Sequence, residues 1–489
     1  MLQGKGTSIE TVAIPWLHVI REHPTFLKNY ENLFADQRKK LSVQNQIITF
    51  FRNKLKNARN FLTFLLRSNK IYLYKKLLPK KVDFLFVSHA MSLCRLSRSS
   101  DFYFGQIPQR LKEKGFSVLI ALLNHTGYQK IMQNHSCNKH QVPRIILADF
   151  LRFQDEAKFY FRLRNESKRL KKAARNQTRG LLKKILLRAS EEALSKGAFD
   201  ALRIGSQIEQ LIKRTRAKTI ILTHEGHAWE RVAFAMAKKA NPDVRCVGYQ
   251  HSAIFRLQHA IKRDLSMEYN PDIIVTAGYL GKKQLERLPG FKDKAIRILG
   301  SPRCAQSNSN RFIRRDKNKR TCLVLPEGIL SECMLLFEFS LGYANYNPEF
   351  NFIWRLHPII NYQDLFFKNR KLKKLPRNIE ISKKSITDDM ANSDYVLYRG
   401  STAAVQAVAL GLIPIYLIQK NELVIDPLYQ HKKNINRVQT LKQFHRVVTS
   451  KKYEAKNIKK LKSYALKIFT SPNESVLIEN NTDQKKQKI

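Results

Sequence analysis

In the last third of the chain, the apolar run Tyr395 to Tyr398 leads into Arg399-Gly400-Ser401-Thr402, and an alanine-rich stretch follows as far as Gly411. An apolar strand, two hydroxyl residues opening a helix and a glycine closing it describe a strand-to-helix turn. Free backbone N–H groups and the positive helix end favour a phosphate there. Gly400 permits close approach to the backbone, and the Ser401 and Thr402 hydroxyls add donors. The competing role for either hydroxyl is a simple helix cap. One strand unit earlier, Phe352-Ile-Trp-Arg355-Leu-His357-Pro358 ends in a histidine held extended by the proline after it, at the edge of a sheet where ligands bind. The alternative for His357 is a structural histidine.

A second group lies in the first half. Thr219 to Thr223 is a buried-strand pattern, and Ala228, Trp229, Val232, Ala233 and Met236 define a helical face, so His224 and Glu225 fall at the turn between them. A carboxylate in that position suits a general base if burial raises its pKa against the pull of the helix end. The alternative is an ordinary acidic residue in a first helical turn. The next strand, Arg245 to Gly248, runs into Tyr249-Gln250-His251-Ser252, a polar cluster at the same edge or a plain turn. The other histidines, His18, His23 and His431 among them, show no ligand spacing and read as structural or solvated. No Asp-x-Asp stands at a strand end, and Asp388-Asp389 reads as a helix cap or loop.

These turns need strands to place them. From residue 82, apolar runs alternate with helical stretches: 82–87, 117–123, 144–148, 219–222, 244–247, 273–276 and 296–299, then, after Gly300-Ser301-Pro302, 322–325, 352–356, 379–381, 395–398 and 413–417. Strands apolar on consecutive positions are buried on both faces, which indicates parallel α/β sheets. The expected fold class is α/β with two doubly wound, Rossmann-like domains facing each other. The boundaries are a basic helical amino-terminal segment at 1–81, a first domain at 82–300, a second at 301–450, and a basic helix with a tail at 451–489, unstructured beyond 474.

Composition narrows the classes. The 489 residues carry 89 Lys and Arg against 39 Asp and Glu, a formal charge of +50, while 43% apolar residues exclude a disordered basic tail. Six scattered cysteines argue against a disulfide framework or a zinc cluster. The start of the chain lacks the pattern of a secretory signal and no run is long enough to cross a bilayer, so the expectation is a cytoplasmic protein. The charge calls for a polyanion, and it is concentrated: residues 36–81 carry thirteen Lys and Arg against one acid, and residues 159–188 eleven against one. In the first segment Ile47, Phe51, Leu55, Ala58, Leu62 and Leu65 recur at helical spacing, which describes an amphipathic helix that packs on the next domain or lies on an anionic membrane surface.

The order His224-Glu225-Gly226, then Arg355-Leu-His357-Pro358, then Gly400-Ser401-Thr402-Ala403 resembles the motifs of bacterial CMP-sugar-dependent transferases with the GT-B fold, sialyltransferases and Kdo transferases among them. Glu225 to Glu230, Gly248 to Ser252 and Gly300-Ser301-Pro302-Arg303 also look like segments of bacterial surface-carbohydrate biosynthesis proteins. The resemblance covers roughly residues 82 to 420. It implies that Glu225 accepts a proton from the acceptor hydroxyl, that His357 contacts or protonates the departing phosphate, and that Ser401 and Thr402 hold it, with Arg355, Arg399 and Gly400 on the donor side. His224, Gln250, His251, Ser252 and Arg303 are further cleft candidates. Two departures from the motifs stand out: His224 replaces an acid, and Gly-Ser-Thr replaces a pair of serines.

A sugar linked to CMP leaves as a single phosphate, whose growing charge a histidine, hydroxyls and a helix end can offset, so no metal or other cofactor is expected. The expected partners are a CMP-sugar or related nucleotide donor, a glycan or lipid-linked acceptor and the inner face of the cytoplasmic membrane. A polyol-phosphate transferase using CDP-glycerol shares the His-Pro and Ser-Thr elements and is the alternative. A nucleic-acid-binding protein rests on charge alone, and no specific nucleic-acid motif accompanies it.

Overall fold

The computed structural model describes residues 6–34, 55, 78–91, 100–125, 142–305, 320–450 and 455–479. The amphipathic helix expected around 47–65 and most of the polar stretch 303–320 lie outside them.

The first sheet has seven strands, β1 (Phe84–Ala90), β2 (Val118–Asn124), β3 (Arg144–Ile146), β4 (Thr219–Thr223), β5 (Arg245–Gln250), β6 (Ile273–Thr276) and β7 (Ala295–Ile298), in the order β3-β2-β1-β4-β5-β6-β7. The second has six, β8 (Thr321–Leu325), β9 (Asn351–Trp354), β10 (Ile379–Ile381), β11 (Tyr395–Tyr398), β12 (Ile413–Leu417) and β13 (Asn436–Val438), in the order β10-β9-β8-β11-β12-β13. Every pairing is parallel. Both orders are therefore the doubly wound Rossmann order, and each sheet reverses direction between its first and fourth strands. A crevice opens at that reversal, outside the carboxyl ends of β1 and β4 in one domain and of β8 and β11 in the other. The strands are apolar on both faces because helices cover both: β1, β4 and β5 are buried almost throughout. β13 escapes a reading by apolar runs because of Asn436-Arg437-Val438 only Val438 is buried.

Between β3 and β4 the crossover carries an inserted helical pair, Phe153–Arg175 and Leu181–Glu192, before the helix Lys196–Thr215. This pair holds the second basic stretch. Phe159, Leu163, Leu170 and Ala174 face inward, and most of the Lys and Arg side chains point out. Residues 6–34 pack on the same region: Val12 and Ala13 join the core around Leu163, Leu202 and Val232, and Ile14 meets Leu170 and Leu186.

The carboxyl-terminal helix Ala455–Ile468 belongs to both domains, since it packs on Ala403–Ala409 of the second and on Tyr279–Glu286 of the first. Beyond it the chain hydrogen-bonds to the first domain, Thr470 N–H to Ala277 O at 3.0 Å and Asn473 N–H to Leu299 O at 2.8 Å. Gly300, at φ +81°, leaves room for the Ser471 carbonyl, which a Cβ would strike. The expectation of an unstructured tail beyond 474 is corrected for 474–479. Glu474 pairs with Lys114 at 2.8 Å and Leu477 is buried, because an apolar residue in this stretch finds the first domain's surface. Residues 480–489 lie outside the described set.

Candidate active site between the domains

β4 delivers His224, Glu225, Gly226 and His227 to the first crevice, and the helix Ala228–Ala240 follows. The turn is fixed by Glu230, whose Oε2 accepts the N–H groups of Glu225, Gly226 and His227 at 2.9, 2.7 and 2.9 Å. Those amides are thereby satisfied by the protein itself, and the Glu225 side chain is the group left facing the cleft. Gly226 has φ +88°, and a Cβ there would run into the Ala260 carbonyl.

Around Glu225 the Ser252 hydroxyl donates to Oε1, His251 Nε2 lies 4.0 Å from the same oxygen, and His227 Nε2 lies 3.6 Å from Oε2. Burial pushes the Glu225 carboxyl up. The hydrogen bond from His227, the charges of His251 and His227 and the Ser252 hydroxyl together outweigh it, so the carboxyl is held well below its ordinary value. The expectation of a raised pKa is thus corrected: in the resting site the neighbours win over desolvation. His227 moves the other way. Burial lowers it, but the hydrogen bond to Glu225 and the charges of Glu230 and Glu225 leave it raised. His251, against the Tyr103 ring at 4.4 Å, is lowered to about 4 by burial, which the pull of Glu225 does not cancel, and Arg303 lowers it further.

Two expected cleft residues turn inward. His224 is fully buried, occupies the space that a side chain on Gly248 would need and lies 3.3 Å from Glu230, so it supports the turn from beneath. Gln250 is also buried. Its amide donates to the Ser252 carbonyl and its oxygen fills the space beside Gly281, an arrangement that positions the Ser252 loop. Two histidines that sequence spacing does not single out join the site instead. At the end of β1, His89 Nδ1 lies 2.8 Å from His125 Nε2, its Nε2 lies 3.2 Å from Thr223 Oγ1, and its ring meets Tyr103 edge-on. Burial, then the charges of His125, His251 and His227, hold His89 well below its ordinary pKa.

In the second domain β8, β9 and β11 end on Glu327, His357 and the turn 399–402. His357 packs against Gly328, and its Nδ1 accepts the Ile359 N–H at 3.4 Å, which leaves the ring proton on Nε2. Burial and then the charge of Arg303 lower His357 to about 4, so the ring is a neutral N–H donor at neutral pH. Gly400 is approached closely, as its type suggests, but by the Glu327 carboxylate, which would collide with any Cβ. Thr402 precedes the short helix Ala403–Ala409 without making a side-chain cap, and its hydroxyl takes a hydrogen bond from Arg303 Nη1 at 3.2 Å. The buried Ser401 sits beside it.

Both arginines expected on the donor side are already engaged. Arg399 is 1% exposed, donates to Glu332 at 2.7 Å, Glu422 at 2.6 Å and the Leu417 carbonyl at 3.1 Å, and so points into the domain. Arg355 is tied to buried Asp389 at 2.5 Å and to the Lys384 carbonyl at 2.8 Å. Among the cations that reach the cleft is Arg303, from the end of the first domain. It contacts Thr402, and its charge bears on both His251 and His357.

The amino-terminal strap closes one side. Glu22 N–H and His259 N–H bond to Leu257 O and Ile20 O, both at 2.8 Å, and Arg21 pairs with Glu327 across the domains. His23 Nε2 faces Glu327 at 3.4 Å and Glu332 at 3.7 Å, and these three could surround a metal ion. The tautomer opposes this. Thr25 N–H donates to His23 Nδ1 at 3.1 Å, which leaves the proton on Nε2, the atom a metal would need free. Arg21 and Arg399 also bind the same two carboxylates.

No family model matches the sequence, and no curated protein matches it. Solved structures similar to the chain include the spinosyn rhamnosyltransferase SpnG complexed with thymidine diphosphate, at 12% identity over 82% of this chain and 99% of that one, with a TM-score of 0.45. The glycosyltransferase SnogD from Streptomyces nogalater matches at 13% identity over 83% and 99%, with a TM-score of 0.44. A UDP-N-acetylglucosamine 2-epimerase matches at 9% identity over 80% and 92%, with a TM-score of 0.43. The strand orders of the two parallel sheets are those of two Rossmann-like domains.

Proposed function

We propose that the chain is a glycosyltransferase that moves a sugar from a nucleotide donor, a CMP-activated acidic sugar, to a cell-surface polysaccharide or lipid-linked glycan. The observation that carries this reading is Arg303, which joins the carboxyl edges of both sheets: it touches Thr402 and acts on His251 and His357, with Glu225 on the opposite wall. In this mechanism the acceptor hydroxyl gives its proton to Glu225 as its oxygen attacks the anomeric carbon. The bond from that carbon to the phosphate oxygen breaks, and the electron pair leaves with the nucleotide. The His357 Nε2–H, the Ser401 and Thr402 hydroxyls and the Arg303 guanidinium meet the charge that develops on the phosphate. These groups supply the stabilisation without a metal ion.

Incubation with a panel of CMP-sugars and CDP-glycerol tests the donor. Transfer of sugar with release of free CMP is the expected result, while transfer of phosphate into the acceptor would identify the polyol-phosphate reaction instead. His357→Ala and the Ser401→Ala/Thr402→Ala pair are expected to weaken CMP binding about tenfold, the scale of one or two lost hydrogen bonds to a charged group. His357→Gln, which keeps an N–H donor, recovers part of the loss. Calorimetric affinities equal to wild type would remove these residues from the donor site.

Among the described residues no helix is long and apolar enough to cross a membrane. The outward Lys and Arg of residues 159–188 and the charge of residues 36–81 support reversible attachment to the anionic inner face of the cytoplasmic membrane, at about 1 kcal/mol per cation near the surface. Vesicle flotation is expected with anionic lipid, weakening as salt rises, and not with neutral lipid. Failure to float with either lipid rejects the attachment.

A further inference from the structure

Two grooves continue from the acceptor wall of the cleft. The inner one, about 510 Å³, is lined by His18, Arg21, Tyr30, Arg188 and His227, so it begins at the ring that pairs with Glu225. The outer one, about 440 Å³, shares Trp16, Val19 and Tyr30 with it and opens between Leu33 and Phe34 of the strap and Leu181, Leu182 and Ile185 of the inserted helix. Each falls within the ~300–1,000 Å³ of ordinary ligand pockets. Both linings carry aliphatic and aromatic groups; His18, Arg188, Glu192 and His227 line only the inner groove, and the outer one is apolar apart from Tyr30 and Arg263.

Among the described residues the outer end is open. Phe34 is 72% exposed, Leu181 48% and Leu182 49%. Large apolar side chains left facing solvent together mark a binding surface, and a sugar alone would gain little from them. The outer rim is cationic: Arg263 lines it, Lys183 and Lys184 follow Leu182 on the inserted helix, and Lys184 donates to the Leu33 carbonyl at 3.1 Å, whereas Arg188 of the inner groove is paired with Glu192 at 2.6 Å. That charge disfavours the chain's own residues 36–81, themselves strongly basic, as the occupant and favours an anionic amphiphile.

We infer that the two grooves form the binding site of an amphiphilic acceptor. Its hydroxyl-bearing head lies at Glu225 and His227, and its hydrocarbon tail runs past Trp16 and Tyr30 to leave between Leu181 and Phe34 toward an anionic lipid surface. The head's reaction rests on the transferase reading, whereas tail binding does not. The amino-terminal strap thus serves as one wall of the acceptor site as well as a tie between domains.

The test uses the intact protein and ω-bromoalkyl glucoside 6-phosphates from hexyl to dodecyl, below their micelle concentrations, with bromine quenching of tryptophan fluorescence as the readout. Of the three tryptophans Trp16 lines both grooves, Trp354 is fully buried in the second domain, and Trp229, whose ring meets His89 edge-on, is replaced by phenylalanine so that the signal reports Trp16. Quenching is expected, with affinity tightening by up to about fourfold per added methylene. Leu182→Asp, at an exposed position where folding is undisturbed, is expected to weaken dodecyl binding by about tenfold or more, as for several methylenes lost. Phe367→Asp, at an 88% exposed apolar site on the second domain, is the control and leaves binding unchanged. Affinity independent of chain length, unchanged binding in Leu182→Asp, or no quenching because residues 36–81 already cover the groove would each overturn the inference. A protein that binds the tail in this way yet turns over no donor retains the groove and loses the transferase reading.

Discussion

Replacing Glu225 by glutamine is expected to lower turnover by ~100-fold or more, the scale on which a positioned general base contributes, with CMP affinity near wild type. The carboxylate faces the cleft on the first domain, and the proposed phosphate contacts are on the second. Steady-state kinetics decide it, and turnover within a few-fold of wild type would remove Glu225 from the mechanism. The site adds a pH signature. Glu225 is held low and His227 held high, each largely by the other. A carboxyl with a lowered pKa stabilises the fold above its unfolded value and loses that contribution as pH falls through the folded one. A histidine with a raised pKa contributes below its unfolded value and loses the contribution as pH rises through the folded one. The pair is therefore at full strength from about pH 4.5 to about pH 6.5. His227→Asn removes the cation that lowers Glu225, so the carboxyl pKa rises and the acid limb of kcat/KM moves to higher pH. An acid limb that stays in place would mean that His227 does not set the basicity of the group being titrated.

Local patterns carried the reading a long way and stopped where the site depends on distant parts of the chain. Runs such as Ile273 to Thr276 and Tyr395 to Tyr398 are strands over those same residues, because a strand covered on both faces has to be apolar throughout. The turn that displays Glu225 follows from the strand and helix on either side of it. His89 and His125 gave no signal, since they are 36 residues apart in sequence and meet only because β1 and β2 are neighbours in the sheet. His23, with no ligand spacing, comes to lie against Glu327 and Glu332 because the strap crosses between the domains. Pro326-Glu327-Gly328 has no motif to announce it, although a carboxylate after a buried strand is the same signal that singled out Glu225. The arginines err in the opposite sense. A cation beside a phosphate turn suggests a phosphate ligand, but the acids that claim Arg399, Glu332 and Glu422, lie 67 and 23 residues away and could be recognised only once the sheet order brought them together.

Arg399→Ala separates a fold-supporting cation from a phosphate-binding one, and the expected effect is on stability. The guanidinium is 1% exposed and bridges Glu332, itself 6% exposed, and the half-open Glu422. Removing one partner of a buried pair leaves the other charge uncompensated, at a cost of about 3–5 kcal/mol. Burial raises the Glu332 carboxyl even with Arg399 in place, so without it Glu332 takes up a proton more readily. A group whose folded pKa lies above its unfolded one stabilises the fold below the unfolded value and loses that contribution as pH rises through the folded value. The deficit of Arg399→Ala relative to wild type should accordingly shrink between pH 7 and pH 5. A second substitution, Glu332→Gln, which removes the stranded charge, should recover a substantial part of the loss at pH 7. Urea titrations of the single and double variants at both pH values, with CMP affinity measured on the folded protein, provide the comparison. A single variant of wild-type stability with sharply weakened CMP binding would return Arg399 to the donor site, whereas lost stability with donor affinity preserved leaves Arg303 as the arginine that reaches the phosphate.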